Sequence, residues 1–148
     1  MSDDIGLPMY WEYHGTAFKL EAGPEGEWVG SLLNPETGLF DRDDRPTLDC
    51  LFATTTSYIT TKPFEEFVWT SERVRSYHLT GDGPIFALYD TIKAIRGQAE
   101  AENRRLTGEE LAMVKSIYRR TFTMWEEEQK RREAGEPPSF EVRQLRPF

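Results

Sequence analysis

The patterning of the chain changes once, near Gly81. Before it the residues read as short strands and turns; after it they read as helices. This segregation is the strongest constraint on the fold. Parallel strands need long crossover connections, usually helical, and residues 1–80 offer no helix to supply them. The expectation is an α+β fold: an antiparallel sheet of four or five strands, followed by two helices packed on one face. A chain of 148 residues suits one domain. That domain is expected over 1–148, with a strand-rich part at 1–80, a helical part at 81–135 and an extended tail at 136–148.

In the first part, Tyr10 to Leu20 alternates loosely and reads as one strand. Turn chemistry follows at Ala22-Gly23-Pro24-Glu25-Gly26, then a second strand from Trp28 to Leu33 completes a hairpin. Leu48 to Thr61 is the most strand-like run, with a Thr-rich, uncharged tract from Thr54 to Thr61. This strand is expected to be central or else an open edge able to pair with a second copy of the chain. Phe67 to Thr70 and Val74 to Thr80 read as two further short strands.

In the second part, Gly83-Pro84 opens a helix. Its stripe is Ile85, Leu88, Tyr89, Ile92 and Ile95, at spacings of three and four. Thr107 and Glu110 form a capping box for the next helix, striped by Leu111, Val114, Tyr118, Phe122 and Trp125. Glu126 to Glu128 stand four residues before Lys130 to Arg132, so this helix is expected to run to about Ala134 with its last turns leaving the body. Trp125 stands where it leaves and is an interface candidate, since Trp, Tyr and Arg dominate binding hot spots. Phe140 and Val142 in the tail alternate as in a short edge strand.

Composition narrows the function. The net charge is −8; residues 1–74 carry −9 and residues 75–148 carry +1. An acidic half repels a phosphate backbone; it suits a basic protein partner or, as is commoner, simply keeps a protein soluble. No apolar run is long enough to span a bilayer, and the N-terminal residues carry acids rather than the bases of a secretory signal, so a cytoplasmic protein is expected. Cys50 is the sole cysteine and sits among apolar neighbours, which fits an inert core thiol and excludes an intrachain disulfide or a multi-thiolate zinc cluster.

No motif for chemistry is complete. His14 and His78 are weak candidates for general acid–base work beside a carboxylate, and no Ser or Cys stands in a nucleophile elbow. Asp41, Asp43 and Asp44, with Glu36 nearby, are a candidate binding cluster. They fail the calcium-loop pattern, because position six is Pro46 and position twelve is Phe52. Gly81-Asp82-Gly83-Pro84 lacks the third glycine and the Gly-Lys-Ser/Thr of phosphate loops. No metal and no cofactor is expected. Arg73, Arg75 and Tyr77 alternate and are expected to share one strand face, where Arg with a ring can stack on bases or clamp an anion. Arg104, Arg105, Lys115, Arg119 and Arg120 add a basic zone punctuated by acids.

The function expected is a non-catalytic protein-interaction module, such as an inhibitor, an immunity-type protein or an accessory subunit, presenting an acidic surface to a basic protein. The alternatives are a small enzyme or ligand-binding domain using His14 or His78, and a nucleic-acid-associated accessory using Arg73, Arg75 and the helix arginines.

Overall fold

A computed structural model describes residues 6–53 and 58–145. Its first two strands, β1 (Met9–Tyr13) and β2 (Thr16–Ala22), pair antiparallel across His14 and Gly15, whose φ angles are 46° and 83°. Two consecutive positive φ values make the tight turn that matches strand twist. The segment expected as one strand is therefore a hairpin. The turn also resets the alternation. Trp11 and Phe18, which a continuous strand would put on opposite faces, sit opposite each other in the pairing and are both buried.

The expected second hairpin is present: β3 (Trp28–Leu33) pairs with β2, and β4 (Phe40–Arg42) pairs with β3. The Leu48–Thr61 segment is not one strand. Pro46, whose missing N–H costs nothing in a first turn, opens helix α1 (Pro46–Phe52). Thr54 to Ser57 lie outside the described residues. The chain re-enters the sheet as β5 (Ile59–Lys62), beside β1. The five-stranded antiparallel sheet has the order β4-β3-β2-β1-β5, so Thr60 and Thr61 lie on an edge.

The two short strands expected after it are one helix, α2 (Phe64–His78). Its buried positions, Phe67, Val68, Ser71, Glu72, Val74 and Arg75, recur at helical spacing. Two of them are charged, which breaks the apolar stripe in sequence. Pro63 precedes the helix and Glu65 and Glu66 occupy its first turn, where carboxylates favour the helix dipole.

Strand β6 (Leu79–Gly81) leads to α3 (Pro84–Ala101) and α4 (Gly108–Glu133), and β7 (Val142–Gln144) returns to pair with β6 in a second, two-stranded sheet. Both arms of the Thr107–Glu110 capping box are made. The last turns of α4 do not leave the body. Gln129 bonds both backbone groups of Phe40, Glu128 accepts from the Ser139 N–H, and Arg132 donates to the Phe140 carbonyl. This folded-back tail covers Trp125, which is fully buried and carries no interface of its own.

Consecutive residues of β2 point into different cores. Ala17 joins Leu33, Phe40, Phe67 and Phe122 between the sheet and α2 and α4. Phe18 joins Trp11, Leu20 and Cys50 on the other face, beside α1. A third cluster, including Tyr89, Val114, Tyr118 and Trp125, lies among α2, α3 and α4. At Tyr89, Ile92 and Tyr118 that cluster borders an opening to solvent.

Candidate ligand cleft

The opening is a cleft of about 410 Å³ between α2, α3 and α4. Helical spacing builds its walls. On α2, Trp69, Arg73 and Tyr77 are four residues apart and share one face with Ser76. On α3, Tyr89, Ile92, Lys93 and Arg96 fall at three, four and seven residues and face them. Tyr118 of α4 closes the floor.

Polarity is layered. Tyr89, Ile92 and Tyr118 form a buried floor. Trp69 stands half-buried above it, edge-on to Tyr118 with ring centroids 5.0 Å apart. The Arg96 guanidinium lies 5.7 Å from the centre of the Trp69 ring, a cation over a π face. Arg73, Tyr77, Lys93 and Arg96 form an exposed rim.

No carboxylate lines this cleft, although the chain carries −8 overall. Arg73 is shared with Glu12 of β1, at 3.6 Å. Among the described residues, Lys93 and Arg96 have no carboxylate partner. Cations facing one another across a partly apolar hollow attract a negative ligand group.

A buried polar network holds the floor. Tyr89 donates to Glu72 at 2.7 Å and accepts from the Trp125 indole N–H at 2.8 Å. Thr121 donates to the same Glu72 oxygen. The other oxygen takes the Arg75 guanidinium at 2.7 Å, and Arg75 also donates to the Gly38 carbonyl. Burial raises the Tyr89 hydroxyl well above its ordinary pKa, and the Glu72 charge adds to the rise, so Tyr89 stays a neutral donor. Every charge in the network has a partner, as buried charges require.

Several residues expected to act together are separated. Arg73 and Tyr77 do share a face, by the period of a helix and not of a strand. Arg75 points the other way, 2% exposed, and is consumed by Glu72 and Gly38. The acidic loop supplies its own counter-charges: Asp43 pairs with Arg45 at 2.8 Å, Asp44 with Arg42 at 2.9 Å, and Asp41 accepts from Asn34. Those contacts hold the Asp43 and Asp44 carboxyls below the usual range. His14, in the β1–β2 turn, stacks on Tyr58; His78, ending α2, lies against Tyr77, and its backbone carbonyl accepts from the Leu145 N–H. The two histidines are thus held by different elements. Cys50 is buried, and desolvation pushes its thiol up to about 12. Among the described residues no group of three or more His, Cys, Asp or Glu is placed to hold a metal ion.

Sequence reasoning missed Trp69, Lys93, Arg96 and Tyr118 as site residues. The signal was present on α3, where Lys93 and Arg96 continue the rim of the Tyr89–Ile92 stripe. The cleft itself exists only once three helices meet. No protein-family model matches the chain, and no curated protein or solved structure is significantly similar to it.

Proposed function

We propose that the protein is a binding module whose ligand surface is the α2–α3–α4 cleft, and that the ligand brings a negative group to Arg73, Lys93 and Arg96. The observation that carries this is a cleft lined by three cations and four aromatic rings without a carboxylate, in an acidic chain. A cavity with an apolar floor and a few convergent polar groups is the usual form of a ligand site. The reading is of a non-catalytic role: His14 and His78, the two residues named for proton transfer, do not line the cleft, and the Tyr89 hydroxyl is committed to a buried network. It keeps the cytoplasmic location expected from the sequence.

The test is an NMR titration with a panel of small anions, following the four tryptophan indole N–H signals. Of the four, Trp69 lines the cleft and reports it, while Trp11 and Trp125 are buried and Trp28 stands on β3. A saturable shift of the Trp69 signal, lost in the R73E/R96E variant, supports the proposal; a panel that never moves Trp69 removes it.

A second reading retains a protein partner. Leu48 and Phe52, one turn apart on α1, are 64% and 79% exposed, and Tyr58 nearby in sequence is 67% exposed. Exposed apolar side chains grouped this way fit a protein interface. The acidic loop at Asp41, Asp43 and Asp44 adds little charge to it, because Arg42 and Arg45 offset two of the three carboxylates. Nuclease-treated pull-downs discriminate: a stoichiometric protein partner lost in L48E/F52E and kept in R73E/R96E favours this reading.

A further inference from the structure

We propose that the cleft takes a nucleoside monophosphate, ring inward and phosphate at the rim; the inference rests on the anionic-ligand reading above. Three features of the cleft select this chemistry. The floor and inner wall are largely aromatic and apolar: Tyr89, Tyr118 and Ile92 below, the half-buried Trp69 indole beside them, edge-on to Tyr118. The half-buried Trp69 indole is the surface on which a planar ring stacks. The cations stand above that floor, so the charged group of the ligand must be separate from its ring and held outward. Lys93 and Arg96, joined by an Arg73 that is shared with Glu12, match a group of nearly two negative charges, as a phosphate monoester is at neutral pH, better than a single carboxylate. The volume of about 410 Å³ lies within the range of small-ligand sites.

The flanks decide against an extended polyanion. Past Trp69 and Tyr118 the surface runs into a second hollow lined by Glu65 and Glu66, where Arg119 is already bound to Glu65 at 3.0 Å. Past Arg96 it runs into a third hollow lined by Glu100 and Arg105, where Arg104 is bound to Glu102 and Glu110. A strand of nucleic acid, or an acidic peptide continuing through the cleft, would meet those carboxylates and find Arg104 and Arg119 already paired, with Arg105 and Lys115 as the flanking cations left to it. A compact ligand confined to the centre meets neither.

The experiment is isothermal titration calorimetry of the full chain at low salt, where exposed charge is least screened. The probes are adenosine 5′-monophosphate, adenosine, orthophosphate, a short thymidine oligonucleotide and a hexaglutamate peptide, each also followed by the Trp69 indole signal. The expected result is saturable one-site binding of the monophosphate, with adenosine and orthophosphate each weaker by about tenfold or more. K93Q/R96Q, two exposed positions, is expected to bring the monophosphate down to the level of adenosine with its melting curve unchanged. Q substitution at Arg73, also exposed, gives an independent second variant (R73Q) with the same expected direction.

Equal binding by wild type and K93Q/R96Q overturns the inference. So does an oligonucleotide that binds more tightly than the mononucleotide. If hexaglutamate or orthophosphate moves Trp69 and the monophosphate does not, the nucleotide inference falls and the anionic cleft stands. If no probe moves Trp69, both fall.

Discussion

Replacing Glu72 by alanine tests the buried network on which the cleft is built. Glu72 is 0% and Arg75 2% exposed, so their charges are desolvated and depend on each other. E72A strands the Arg75 guanidinium, and Tyr89 and Thr121 lose their acceptor. Breaking a buried ion pair from one side costs about 3–5 kcal/mol, a large share of the roughly 5–15 kcal/mol that stabilises a domain. With a urea slope of about 2 kcal/mol per molar, the unfolding midpoint should fall by roughly 1.5–2.5 M. The E72L/R75L double variant removes both charges and costs only neutral groups a partner: the Gly38 carbonyl loses a donor and the Tyr89 hydroxyl its acceptor, while Thr121 keeps its bond to the Tyr118 carbonyl. It should be more stable than the sum of the single effects, since the cycle carries a coupling term for residues in contact. Urea unfolding followed by circular dichroism measures all of this. An E72A cost below about 1 kcal/mol, the range of an exposed pair, or strict additivity in the cycle, is incompatible with a desolvated, interdependent pair.

Gly38 and Gly97 make a matched pair. Gly38 has φ +80° and a Cβ there would come within 2.5 Å of the Trp125 ring, so G38A should cost about 2 kcal/mol or more; G97A, mid-helix with nothing within 4 Å, should stabilise by about 0.5–1 kcal/mol, and equal denaturation midpoints for the two would contradict both. Cys50, buried with its thiol raised to about 12, should react with an aromatic disulfide reagent far more slowly in the native state than in urea; rapid native labelling would place it at the surface. Burial raises the Glu128 carboxyl, but hydrogen bonds from Arg132 and Ser139 outweigh it and leave its pKa below the ordinary 4.5. Its contribution is therefore present above that unfolded value and lost as pH falls through the lower folded one; the difference in melting temperature between wild type and E128Q should shrink on acidification below pH 4.5, and a difference that grows would reverse the assignment.

Local chemistry was legible where one element answers to one rule. The Thr107–Glu110 capping box and the Ile85–Ile92 stripe located α3 and α4, and turn residues located the β2–β3 hairpin. Helix α2 escaped because Glu72 and Arg75 occupy its buried face. With both counted as polar, the remaining Phe67-Val68-Trp69-Thr70 and Val74 to Thr80 read as strands. The β1–β2 turn escaped because His14 holds a positive φ that Asn usually supplies. Trp125 was misplaced because a long charged helix end implies solvent, whereas Glu128 and Arg132 bond the returning tail. For the site, Arg73 and Tyr77 were named, but for a strand geometry that does not exist. Trp69, Lys93, Arg96 and Tyr118 come from three helices whose meeting depends on tertiary packing.

Whether the helical cleft binds a compact anionic ring is decided by mapping backbone amide and indole shifts during titration with adenosine 5′-monophosphate. Binding in the cleft should give saturable changes at Trp69, Arg73 and Tyr77 on α2, at Lys93 and Arg96 on α3 and at Tyr118 on α4, with α1 and β5 unmoved. Shifts confined to Leu48, Phe52 and Tyr58, or no saturable shift at all, would contradict it.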